Sequence, residues 1–163
     1  STTVFNGSQA LQASGGGGTI ASDSGLANYP VMGETFKCHV NLAGGDDLEV
    51  GYGGNGAVSG FADEGYGVDV SSSNNFVVRR FDGGGSFTEL TRTTPSIPTN
   101  RYLRVSIEWV NNNHTIELFD TTNSNKLATL TFSDGTYSNN TGIFFRDGGS
   151  GSAGGFFDLY EII

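Results

Sequence analysis

Arg79 and Arg80 stand side by side in the stretch NNFVVRRFD, in a chain with only eight basic residues. A guanidinium offers a rigid fork of N–H donors suited to oxygen acceptors. On a strand, Phe76, Val78 and Arg80 share one face, and Val77, Arg79 and Phe81 share the other. At most one of the two arginines therefore faces a second sheet. The other stands on an outward face among apolar and aromatic side chains, the composition of a sugar-binding platform, and Arg79 is read as that residue. The competing reading is a surface ion pair with Asp69 or Glu64 on the neighbouring strand. The same platform would draw on Tyr52, Tyr66, Phe145, Arg146 and Asp147. They come from the stretches 48–54, 64–71 and 142–147, read as lying in one sheet with 75–81. Each of these aromatics has a core reading as well. Trp109 is read as core, because it shares a face with Leu103, Val105 and Ile107.

Other chemistries find less support. Glycoside hydrolysis needs two carboxylates across a cleft. Glu108, beside Trp109, has no spaced acidic partner on its strand, so the chain is read as not an enzyme. The adjacent acids Asp46–Asp47 and Asp63–Glu64 fall in loops, as solvated turns or as an oxygen-ligand calcium site. The single cysteine, Cys38, alternates with Phe36, Val40 and Leu42 on an apolar face and reads as a small buried hydrophobe. His39 points to the opposite face, and His114 is distant in sequence, so neither a thiol–imidazole pair nor a zinc set forms. The glycine-rich runs at 15–18, 83–85 and 148–155 do not sit between a strand and a helix, so they are turns and not phosphate loops.

The elements that must position these residues are short strands. Gly is abundant at 26 residues, Pro is scarce at 3, and Ser, Thr and Asn fill much of the rest. Turn signals recur every 8 to 12 residues, which predicts about eleven strands in an all-β, two-sheet antiparallel sandwich with no long helix. With 163 residues, the whole chain 1–163 is expected to form one such domain. The net charge of −9 argues against nucleic acid and against anionic membrane surfaces. No transmembrane stretch or signal peptide is visible, and the opening STTVF reads as a mature end. An acidic, Lys-poor surface suits a salty medium, where charge repulsion is screened within about 3 Å at 1 M salt. Three sequons, at Asn6, Asn113 and Asn139, permit a secreted glycoprotein.

Three stretches then resemble a known family. They are Gly7-Ser8-x-Ala10-Leu11, Ser22-x-Ser24-Gly25-Leu26-x-x-Tyr29-Pro30, and Gly33-Glu34-Thr35-Phe36. With the long hairpin RYLRVSIEWVNNNHTIELFD and the closing GGFFDLYEI, they resemble the laminin-G-like, concanavalin A-like domains of haloarchaeal surface and secreted proteins. The resemblance implies a jelly-roll sandwich and an extracellular carbohydrate-binding or adhesion module. It also implies a structural calcium ion held near the closing strand by Asp158, with Asp23 as a second ligand. The alternative for Asp158 is a turn-capping role. Members usually carry one more strand before the glycine-serine element. Strand addition by a neighbouring copy, as in a filament, surface layer or virus particle, is thus the alternative function. The expected partner is a glycan or cell-surface polymer, or copies of the chain itself.

Overall fold

The computed structural model describes residues 3–5, 11–12, 20–22, 30–42, 47–54, 64–147 and 155–163. Thirteen strands run through them: β1 (Thr3–Phe5), β2 (Leu11–Gln12), β3 (Ile20–Ser22), β4 (Thr35–Asn41), β5 (Asp47–Tyr52), β6 (Glu64–Ser71), β7 (Phe76–Asp82), β8 (Phe87–Thr93), β9 (Tyr102–Val110), β10 (Asn113–Asp120), β11 (Asn125–Ser133), β12 (Phe144–Asp147) and β13 (Phe156–Ile162). The first predicted element divides in two, since β1 and β2 pair separately with β13. Asp47 and Glu64, expected in loops, each begin a strand.

The strands form two antiparallel sheets. A seven-stranded sheet has the order β1-β13-β4-β9-β10-β11, with β2 also on β13, and a six-stranded sheet has the order β3-β12-β5-β6-β7-β8. The fold is an all-β, two-layer jelly-roll sandwich, and no described residue is helical. Its turns follow from Asn and Gly. Asn111 and Asn112 both take positive φ, 49° and 64°, and join β9 to β10 as a two-residue hairpin whose twist matches the strands. Gly83, Gly84 and Gly85 all take positive φ between β7 and β8, which side chains with a Cβ rarely adopt.

Alternation sorts each strand into two faces. The seven-stranded sheet sends Phe36, Cys38, Val40, Leu103, Val105, Ile107, Trp109, Ile116 and Leu118 inward. The six-stranded sheet answers with Leu48, Val50, Tyr52, Tyr66, Val68, Val70, Phe76, Val78 and Phe145. Fully burying one such side chain contributes about 1.5–3 kcal/mol. Trp109 and Cys38 lie in this core as expected, and burial, with the nearby charge of Asp158, pushes the Cys38 thiol well up.

One end of the sandwich is closed by a polar and aromatic network. Tyr52 Oη lies 2.8 Å from His114 Nδ1, and His114 Nε2 lies 2.9 Å from the Asp134 backbone oxygen. A carbonyl can only accept, so the ring hydrogen is on Nε2 and Tyr52 O–H donates to Nδ1. The imidazole is stacked on Phe132 at 4.3 Å and 9°, and on Trp109 at 5.5 Å and 20°. Tyr66 O–H donates to Asp134 Oδ1 at 2.9 Å, and Arg80 Nη1 donates to Asp134 Oδ2 at 2.7 Å. The 133–140 connection is thereby tied to β6 and β7.

Candidate functional site

The two adjacent arginines separate as the strand period requires. Arg80 follows Phe76 and Val78 on the inward face and reaches out at the sandwich end to Asp82 and Asp134. Arg79 lies on the outer face of the six-stranded sheet and pairs with Asp69 at 2.7 Å. The ion-pair reading and the outward reading of Arg79 therefore describe the same arrangement. Arg146 shares this face, opposite Glu49 in register, with Nε 3.1 Å from Glu49 Oε2. Asp147 ends β12 opposite Leu48, and its side chain lies outside the described residues.

The other predicted platform residues stand elsewhere. Tyr52 and Tyr66 are fully buried between the sheets and stack on each other at 5.2 Å. Phe145 is buried against Phe157 at 4.9 Å. These three aromatics take their core reading, not the surface one. On the outer face it is Phe144 and Phe81, unnamed in the sequence reading, that pack, with ring centroids 6.2 Å apart. A Cβ at Gly51 would run into the Phe144 ring, and one at Gly67 into Glu49 and Phe81. The glycines thus make the room that these side chains occupy.

This outer face is packed rather than open. Glu49 is 2% exposed, Asp69 7%, Phe81 3% and Phe144 5%. Burial, with Asp69 adding and Arg146 and Arg79 opposing, pushes the Glu49 carboxyl up to about 7. Burial also raises Asp69, against the pull of Arg79. Glu49 and Arg146 are close in distance without hydrogen-bond alignment, so both Glu49 oxygens lack a hydrogen bond. Asp69 Oδ1 and Arg79 Nε lack one as well.

The half-exposed face lies on the other layer. On the seven-stranded sheet, the residues that alternate with the core are Lys37, His39 and Asn41 on β4, Tyr102 and Arg104 on β9, Glu117 and Phe119 on β10, and Phe156 and Asp158 on β13. All of them are partly accessible. Register aligns Asp158, His39, Arg104 and Phe119 across four adjacent strands. Phe156, Asn41 and Tyr102 form the next row. The Arg104 guanidinium carbon sits 4.3 Å from the Phe119 ring centroid, a stacked cation–π contact. Arg104 Nε and Asn41 Oδ1 are buried atoms without hydrogen-bond partners. Burial, with the charge of Asp158, pushes the Tyr102 phenol up. The face thus presents aromatic edges, a hydroxyl, an amide, an imidazole and a guanidinium within two neighbouring rows. Such a set can stack on a sugar ring and exchange hydrogen bonds with its hydroxyls.

Sequence reasoning singled out only Asp158 from this face, and as a metal ligand. The signal for the rest was present in the alternation: His39 and Asn41 oppose Cys38 and Val40, and Tyr102 and Arg104 oppose Leu103 and Val105. Which strands adjoin was not readable. For calcium, Asp23 lies outside the described residues. Among the described residues no group of three or more His, Cys, Asp or Glu side chains could hold a metal ion. Asp158 is in register with His39, not with another carboxylate, so the described residues alone do not make an oxygen-ligand set. Of the sequons, Asn113 and Asn139 are exposed, at a strand start and in a turn. Asn6 lies outside the described residues.

The topology defines a class: a lectin-like β-sandwich, the architecture of carbohydrate-binding domains. No family model matches the chain, and no curated protein matches it. Among solved structures, it is similar to the exoplasmic/lumenal domain of VIP36 in its Ca2+-bound form, with a TM-score of 0.72 and 13% identity over 100% of this chain and 81% of that one. It is also similar to the carbohydrate binding module CBM66 from Bacillus subtilis, with a TM-score of 0.59 and 12% identity over 96% and 91% of the two chains. The galectin LEC-6 of Caenorhabditis elegans gives a TM-score of 0.59 and 13% identity over 90% of each chain. At these identities the likeness is one of fold.

Proposed function

We propose that the chain is a non-catalytic carbohydrate-binding module that engages its glycan on the outer face of the seven-stranded sheet. The observation that carries this reading is the row on that face in which Arg104, stacked on Phe119, stands beside His39 and Tyr102, with Arg104 Nε and Asn41 Oδ1 lacking partners. Buried polar atoms are normally satisfied, so an orphaned donor and acceptor on one half-exposed face suit a ligand rich in hydroxyls. The similar structures named for carbohydrate binding support the reading, since function resides in the site and the fold raises its prior. An extracellular setting, on a surface or secreted protein of a salt-adapted archaeon, belongs to the same proposal. It is supported by the net charge of −9 and by the resemblance of the glycine-serine and closing-strand motifs.

The full chain, screened against a broad glycan panel at low and at molar KCl, is expected to bind at least one glycan class saturably as a monomer. Its unfolding temperature is expected to rise with salt, and a flat response would remove the salt-adapted setting. Failure to bind any glycan, together with salt-independent self-assembly in sedimentation, would overturn the module. That outcome would favour the alternative, a structural subunit of a filament, surface layer or virus particle.

A further inference from the structure

The eight basic side chains all fall among the described residues, and seven of them are matched to acids. Lys37 pairs with Glu161, Arg79 with Asp69, Arg80 with Asp82 and Asp134, and Arg92 with Glu89. Arg101 pairs with Asp120, Lys126 with Glu117, and Arg146 with Glu49. The exception is Arg104. It has no ion pair and no hydrogen bond among the described residues, although the chain carries 17 acidic residues against 8 basic ones. With acids in such excess, a cation left without one on a half-exposed face is a position to which an outside anion can come.

From this we infer that the glycan carries a carboxylate, as a uronic acid residue does, and that Arg104 is the group that holds it. The inference rests on the carbohydrate-binding reading above and names the chemical class of its ligand. The Phe119 ring covers one face of the guanidinium and fixes its plane, so the edge of the fork is what remains to donate. A planar carboxylate meets that edge with two parallel N–H···O bonds, which are about twice as strong as neutral ones. The pyranose ring attached to it then lies over the neighbouring row. There the Tyr102 hydroxyl and the unpartnered Asn41 Oδ1 are placed to meet ring hydroxyls. His39, between Asp158 and Arg104 in register, borders the same place. The outer face of the six-stranded sheet does not compete for this ligand, because Arg79 and Arg146 are already matched by Asp69 and Glu49. A purely neutral sugar would leave the Arg104 charge unmatched on binding and would gain less from the fork.

The test is calorimetric titration of the full chain with an oligogalacturonate, the matching neutral galactose oligomer and a sulfated galactose oligomer. The expected result is at least a ten-fold preference for the carboxylated oligomer, shrinking in molar KCl. Arg104→Gln should abolish that preference while leaving the weak neutral affinity and the unfolding temperature close to wild type, since Arg104 holds no protein partner. Arg104→Lys should restore only part of it, because charge returns without the fork. Should either variant fail to fold, Phe119→Leu keeps the charge, removes the ring that fixes its plane and is expected to weaken carboxylate binding several-fold. Equal or tighter binding of the neutral oligomer overturns the inference and leaves the carbohydrate-binding reading standing. Equal binding of the sulfated oligomer overturns the choice of carboxylate. An undiminished preference in Arg104→Gln removes Arg104 as its receptor. Failure to bind any saccharide overturns both readings together.

Discussion

His114→Ala is expected to lower the unfolding free energy by about 3–4 kcal/mol at pH 8, read from denaturant midpoints at unchanged m-value. The imidazole is 1% exposed and fills the space between Trp109, Phe132, Tyr52 and Tyr66. Its removal leaves a cavity among rings that can collapse only in part. It also strands the Tyr52 O–H and the Asp134 carbonyl, whose partners are the two ring nitrogens. The same side chain sets a pH dependence. Burial, opposed by the Asp134 backbone bond and charge, holds the His114 pKa below its usual 6.5. In the unfolded chain the ring takes a proton near 6.5, whereas in the fold it resists one. The His114 contribution is therefore complete above about 6.5 and is lost as pH falls through that value toward the lower folded pKa. The alanine variant should lack this acid-side loss. A variant as stable as wild type at pH 8, or with the same slope below pH 6.5, would contradict this account of the sandwich end.

Arg146→Met is the second large change, and its size depends on pH. Removing one member of a buried pair costs about 3–5 kcal/mol when the other is left charged. Glu49 can escape that cost by taking a proton, since its folded pKa already stands at about 7 against an ordinary 4.5. A raised carboxyl gives stability that is whole below its unfolded value and is lost as pH rises through the folded one. Arg146→Met should therefore be strongly destabilising at pH 8, by about 3 kcal/mol, and much less so at pH 5. In the double variant Glu49→Gln/Arg146→Met most of the loss should be recovered, because no buried charge is left alone. Equal destabilisation at both pH values would show that Glu49 is not the group left exposed to the loss.

Much of the layer structure was legible from residues alone. In β9, Leu103, Val105, Ile107 and Trp109 alternate with Arg104, Ser106 and Glu108, and the strand is where the pattern puts it. The pattern could not say which face of the six-stranded sheet looks inward. There VGYGG and EGYGVDV offer a tyrosine on one face and glycines on the other. The tyrosines go inward, and rings from other strands fill the space over the glycines. A sequence search for exposed aromatics therefore chose Tyr52 and Tyr66 and missed Phe81 and Phe144. The candidate site was less legible still, because its residues come from β13, β4, β9 and β10. Those strands become neighbours through long crossovers that no local pattern records.

The central claim is that contact is made on the seven-stranded face and not on the six-stranded one. A titration of the isotope-labelled full chain with an oligogalacturonate, followed by backbone and arginine side-chain NMR shifts, tests it directly. The account predicts saturable shifts at His39, Asn41, Tyr102, Phe119 and the Arg104 Nε–H, with Arg79, Phe81, Phe144 and Arg146 unmoved. Shifts centred on Arg79 and Arg146, or none anywhere at saturating ligand, would contradict it.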